Sequence, residues 1–117
     1  MRVILFQNQF EPMILNGRKR STIRRRAHAK PGQPLSLRVW SGKPYRSKQR
    51  LLCEVNCTAV MSVTIARSGI IMNGLSLSGM AVEELARRDG FTSWSALLEW
   101  FNGVHGLPFS GEIIFWN

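Results

Sequence analysis

The run RLLCEVNCTAVMSVTI, Arg50 to Ile65, limits the fold more than any other stretch. Leu52, Glu54, Asn56, Thr58 and Val60 alternate with Leu51, Cys53, Val55, Cys57 and Ala59, a period of two that belongs to an extended strand. A strand of this length can bend through a small closed barrel. It also decides the chemistry of the two cysteines, because an extended chain rises about 3.3 Å per residue. Cys53 and Cys57 then stand about 13 Å apart, beyond the roughly 7 Å limit for a disulfide and too far to share one zinc. They read as small apolar groups. His28 and His105 complete no metal spacing, so no metal and no cofactor is expected.

The flanking segments supply the other elements. RVILFQ at Arg2 to Gln7 reads as a buried strand. FEPMILNG places Pro12 in a first helical turn and Gly17 at a stop, which predicts a short helix. LSLRVW puts Leu35, Leu37 and Val39 on one face of a strand, with Ser36, Arg38 and Trp40 on the other. SGKPYRSKQ is a hairpin loop longer than a tight turn requires, and GIIMNGLSL adds a short strand and turn. SGMAVEELARRDGF predicts a helix with Met80, Leu85 and Ala86 near helical spacing, Glu83 and Glu84 in its first half, Arg87 and Arg88 in its last turn, and Gly90 as its stop. A second helix begins at Thr92 or Ser93, with Trp94, Leu97, Leu98 and Phe101 as a core stripe. SGEIIFWN closes the chain as a strand, expected to pair with the N-terminal one. With 117 residues, no repeats and no linker-like stretch, residues 1–117 read as a single domain. The order of elements predicts an α+β fold whose antiparallel strands curl into a small barrel with a few flanking helices.

Charge narrows the choice of partner. Sixteen Lys and Arg face seven Asp and Glu, a formal net charge of +9, and twelve of those cations lie between Arg18 and Arg50. No acid occurs between Glu11 and Glu54, so that segment cannot neutralise itself. The densest part, GRKRSTIRRR at residues 17 to 26, holds six cations and two hydroxyls. Such a field attracts polyanions, and nucleic acid is the commonest soluble one. A membrane surface would need a basic helix with a broad apolar face. Pro31, Gly32, Pro34, Gly42 and Pro44 interrupt any such helix. No window approaches the roughly 20 apolar residues of a membrane span, and no signal-type run opens the chain, so a cytoplasmic location is expected.

GRKRSTIR (17 to 24), PGQPLSLR (31 to 38), ARRDGF (86 to 91) with Trp94, and the closing EIIFW resemble the ASCH domain family, a branch of the PUA-like β-barrel superfamily. The resemblance runs over nearly the whole chain, and the G-x-K-x-x-T-x-R element, Gly17, Lys19, Thr22 and Arg24, is its most specific part. It implies a pseudo-barrel with a cleft floored by that element, and binding of RNA or of modified nucleosides. Some small bacterial members remove the acetyl group from N4-acetylcytidine with a Lys, a Thr and a carboxylate, and another has been described as a ribonuclease. Residue by residue, those three roles fall on Lys19, Thr22 and Asp89. The amidohydrolase pattern carries Glu where this chain has Asp89. The arm is shorter by one methylene, and a misplacement of order 1 Å can cost about 100-fold in rate.

The residues themselves allow this chemistry. A threonine hydroxyl becomes a useful nucleophile when a base takes its proton, and a lysine serves as that base when burial and nearby cations lower its pKa. Arg18, Arg20, Arg24, Arg25 and Arg26 lie close to Lys19 in sequence. A nearby Asp89 opposes the shift, and its more defensible role is to orient the lysine or hold the exocyclic amide. For binding, Arg24 suits phosphates or base edges, Lys43, Arg46 and Lys48 lie in a loop able to close over a ligand, and Tyr45 and Trp40 offer planes for stacking single-stranded RNA. Three readings follow: an RNA- or nucleoside-binding module, an amidohydrolase acting on an acylated cytidine, and a ribonuclease. The last lacks paired carboxylates or a histidine pair.

Overall fold

The computed structural model describes residues 1–117 and is organised around one bent strand. The strands are β1 (Arg2–Phe6), β2 (Ser21–Arg24), β3 (Pro34–Trp40), β4 (Gln49–Ala66), β5 (Gly69–Met72), β6 (Leu75–Ser76) and β7 (Phe109–Trp116). The helices are α1 (Glu11–Leu15), preceded by a 3-10 turn at Asn8–Phe10, then α2 (Gly79–Arg88) and α3 (Trp94–Val104). β4 pairs antiparallel with β3 through its first half, with β7 through its second, and with β5 at its end. Two register breaks make this possible. Arg38 pairs with Leu51 while Leu37 pairs with Cys53, and Cys57 and Ala59 take the consecutive partners Trp116 and Phe115. Leu52 and Thr58 are therefore the extra residues of two bulges, and a bulge bends and twists its strand.

The chain is α+β, but its sheet differs from the expected antiparallel barrel. β1 pairs with β3 in parallel, Arg2 opposite Leu35 through Phe6 opposite Val39. A parallel pair requires a long crossover. Here the crossover contains the 3-10 turn, α1 and β2, and β2 leaves to pair with β7. The sheet is thus mixed, and its ladder path β1-β3-β4-β5-β6 is open. The C-terminal strand also departs from expectation: β7 pairs with β2 and β4 and not with β1. No ladder joins β1 to β2, so a gap separates those two strands.

The core forms where the periodicities point inward. Leu35, Leu37 and Val39 of β3 are buried, as are Val63 and Ile65 of β4, Ile113 and Ile114 of β7, and Leu97 and Phe101 of α3. On α2 the buried face is Val82, Leu85 and Ala86, whereas Met80, expected there, is exposed. Glu83 and Glu84 lie beyond the first turn of α2. Glu83 instead accepts the Trp94 N–H at 3.0 Å, and Ser93 accepts the Ala96 N–H at 3.1 Å, so α3 is capped from two sides. No helix is long and apolar enough to cross a membrane.

α2 ends in a Schellman motif that positions the site. The Phe91 N–H donates to the Ala86 carbonyl at 2.9 Å and the Gly90 N–H to the Arg87 carbonyl at 3.0 Å. Gly90 takes φ +96°, a conformation that disfavours any side chain. Asp89, the residue before it, is turned into the protein and is buried.

Candidate functional site

Lys19 and Asp89 lie seventy positions apart and meet because three elements are stitched together between them. The Lys19 N–H donates to the Met13 carbonyl at 2.9 Å, tying it to the end of α1. The Arg20 N–H donates to the Arg88 carbonyl at 2.8 Å, and the Trp116 N–H donates to the Arg20 carbonyl at 3.0 Å. The segment entering β2 is thereby clamped between the last turn of α2 and the end of β7.

The Lys19 side chain runs inward over Gly90, whose built Cβ would stand 3.1 Å from Lys19 Cδ and 3.3 Å from Cβ and Cγ. Its Nζ donates to the Asp89 main-chain carbonyl at 2.5 Å. At 3.7 Å from Oδ1 the ammonium forms an ion pair with the carboxylate without a hydrogen bond to it. Oδ1 instead accepts the Ser21 hydroxyl at 2.7 Å. Phe10 and Phe6 present their rings 4.8 and 5.7 Å from Nζ.

Arg24 fills the gap between β1 and β2. Its Nη2 donates to the Leu5 carbonyl at 2.7 Å, its Nε donates to Thr22 Oγ1 at 3.2 Å, and its guanidinium lies 5.0 Å from the Phe6 ring centroid. Two of its five N–H donors are thus used within the protein, and the others remain for a ligand. Thr22 accepts from Arg24, so its own O–H is left to donate elsewhere.

These groups line one cavity of about 240 Å³ between β1, β2 and α3. Phe6, Phe10, Phe91 and Trp100 form apolar walls, and Lys19, Thr22, Arg24 and Asp89 supply the polar groups. That volume falls below the roughly 300–1,000 Å³ of drug-sized sites, so the cavity suits a group the size of one base.

Burial pulls both members of the ion pair toward neutrality. It lowers the Lys19 pKa first, Asp89 opposes the shift, and Arg24 reinforces it. It raises the Asp89 pKa, against Lys19, Ser21 and Arg24. The expectation that burial and neighbouring cations depress Lys19 agrees with this direction, with desolvation leading and Arg24 the arginine that contributes. His105 at the cavity wall is also held below the usual histidine range, by burial and then by Arg25 and Arg24.

The other expected binding residues spread outward. Arg25 reaches the cavity and lies 5.0 Å from the Phe109 ring centroid. Arg26 is exposed and lines no part of the cavity. Arg18 and Arg20 face a separate groove with Arg87 and Arg88. Trp40 and Tyr45 lie outside the cavity, and Lys43, Arg46 and Lys48 are exposed on the loop that follows β3. Only Lys19 and Arg50, the latter with Glu11, pair with a carboxylate. The remaining cations form an uncompensated field. Cys53 is half-buried and Cys57 buried, both are free, and burial pushes both thiols up. No cluster of three or more His, Cys, Asp or Glu side chains gathers for a metal.

Sequence reading missed Ser21, Phe6, Phe10, Trp100 and His105. Ser21 lies two residues after Lys19, but the Asp89 it bonds to is 68 positions away in sequence. The aromatic walls come from β1, the 3-10 turn and α3, and no local pattern links them. No protein-family model matches this chain, and no curated protein or solved structure shows significant similarity to it.

Proposed function

We propose that this chain is an ASCH-like domain that takes the base of an acylated cytidine into the Lys19 cavity and hydrolyses its amide. The observation that carries the reading is a buried lysine, with its ammonium disfavoured by desolvation, in a base-sized cavity with a threonine and a bound guanidinium. A neutral Lys19 amine takes the Thr22 proton as Thr22 Oγ1 attacks the acetyl carbon. Arg24, donating to that oxygen, holds the hydroxyl in place and leaves its O–H free to donate to Lys19. The N4–acetyl bond breaks, N4 leaves with the proton held by Lys19, and water then releases acetate from Thr22. Asp89 orients Lys19 through its main-chain carbonyl. That contact does not depend on the reach of the carboxylate.

The gap between β1 and β2 supports a PUA-like pseudo-barrel, since an open seam occupied by Arg24 gives a ligand entry. A second reading, binding of RNA or a modified nucleoside without turnover, is favoured by the +9 charge. Mass spectrometry of N4-acetylcytidine, after incubation with the protein and with Lys19→Ala, separates the two. Loss of the acetyl mass that the variant fails to produce is expected. Equal turnover by the variant removes Lys19 from the chemistry, and no turnover by the unaltered protein leaves the binding reading.

A further inference from the structure

Tyr45 is the most conspicuous side chain that the cavity does not use. It is 88% exposed, the most exposed of the large hydrophobic side chains. Its backbone sits at φ +62°, a region that bulky residues rarely adopt. Burial does not compensate that conformation. The loop imposes it: the Gly42 N–H donates to Ser47 Oγ at 2.9 Å, and Ser47 Oγ donates to the Lys43 carbonyl at 2.8 Å. So held, the Tyr45 ring lies 5.2 Å from that of Trp40 at a tilt of 49°.

The two rings border a groove of about 410 Å³. Leu5, Phe6, Gln7 and Arg24 line both this groove and the Lys19 cavity, so the two spaces adjoin on either side of the Arg24 side chain in the β1–β2 gap. Lys43 and Arg46 adjoin the groove-lining Gly42, Pro44 and Tyr45 in sequence and Lys48 follows on the same loop, all three exposed and without carboxylate partners. An aromatic plane flanked by cations, one step from a base-sized cavity, is the arrangement that stacks a base and holds its phosphate.

We infer that the Trp40–Tyr45 pair is a stacking subsite for the nucleotide adjoining the one in the cavity, so that the ligand is a single-stranded RNA and not a free nucleoside. This rests on the proposed reading of the cavity for its first base. The second base lies on Tyr45, and the linking phosphate faces Lys43, Arg46 and Lys48. A duplex is disfavoured, because its bases are already stacked and paired.

The test compares the full chain with Tyr45→Ala and Tyr45→Phe on free N4-acetylcytidine and on a hexanucleotide RNA carrying one N4-acetylcytidine. The ratio of kcat/KM on RNA to that on the nucleoside falls about 5- to 150-fold in Tyr45→Ala, mainly through KM, and is restored in Tyr45→Phe. A ratio that stays within about twofold overturns the inference. Anisotropy of a labelled, unmodified pyrimidine hexamer supplies a readout independent of turnover. The same weakening in Tyr45→Ala supports the subsite even if no deacylation occurs, and unchanged anisotropy binding removes it.

Discussion

Gly17 and Gly90 form a matched pair that isolates how Lys19 is held. Both have positive φ, +79° and +96°. A Cβ at Gly17 meets nothing within 4 Å, whereas at Gly90 it meets Lys19 Cδ at 3.1 Å and Cβ and Cγ at 3.3 Å. Gly17→Ala therefore carries only the conformational cost, about 1–2 kcal/mol. Gly90→Ala carries that cost plus overpacking of the lysine stem, about 1–3 kcal/mol more. In a Lys19→Ala background Cδ and Cγ are gone, and the excess at position 90 shrinks while that at position 17 does not. Urea unfolding followed by tryptophan fluorescence gives each stability, and the Gly90–Lys19 cycle should show coupling within about 0.5–3 kcal/mol. The cost of leaving Asp89 without its cation cancels in the cycle. Coupling under about 0.5 kcal/mol, the usual error of additivity, would mean that Lys19 does not pack on Gly90.

Three further outcomes are expected. Asp89→Asn removes the charge that favours the Lys19 ammonium, so the Lys19 pKa falls further and the acidic limb of a deacylation pH profile moves to lower pH; movement to higher pH contradicts the pairing. Lys19→Met leaves Asp89 buried without its cation. A carboxyl whose folded pKa is raised contributes stability that is complete at acid pH and lost as pH rises through the folded value. The variant's deficit relative to the unaltered chain should thus grow from about pH 4 upward, where an unfolded Asp begins to ionise; a deficit constant across pH 3–8 in urea melts refutes it. Binding of single-stranded RNA should weaken with salt at a logarithmic slope of about 0.7 per phosphate contacted, and Arg46→Ala with Lys48→Ala, which face one phosphate, should flatten that slope by about 0.7; an unaltered slope means that the loop does not meet phosphate.

Local patterns were legible where one element decides them. The alternation in Arg50 to Ile65 marked β4, and the stripe through Leu97 and Phe101 marked α3. Arg87, Arg88 and Gly90 marked the end of α2, because a Schellman motif is written within six consecutive residues. The pairing of β7 with β2 and β4 was not legible. Chain termini often lie near each other, but hydrogen-bonding partners depend on how a crossover is routed, and nothing in RVILFQ distinguishes a parallel neighbour from an antiparallel one. Within the site, Lys19, Thr22 and Arg24 lie within six consecutive residues and could be named together. Which cations reach Lys19 could not. Arg24 and Arg25 both line the cavity but only Arg24 bears on Lys19, while Arg18 and Arg20 line the groove beside α2.

The Lys19–Asp89 pair contributes little to folding and is better understood as a device for the lysine. Removing two charges from water costs several kcal/mol per ion, and a pair separated by 3.7 Å recovers that only in part. The apolar neighbours Phe6 and Phe10 could have been joined by a methionine and a leucine at positions 19 and 89, which is commonly neutral or stabilising by about 1–4 kcal/mol. A Lys19→Met, Asp89→Leu double variant is therefore expected to be at least as stable as the unaltered chain in urea melts while losing deacylation. If the double variant is instead less stable by more than about 2 kcal/mol, the pair holds the fold together and its burial says nothing about chemistry. If stability is kept, what the buried pair provides is a lysine whose proton is loosely held: desolvation disfavours the ammonium by more than Asp89 favours it.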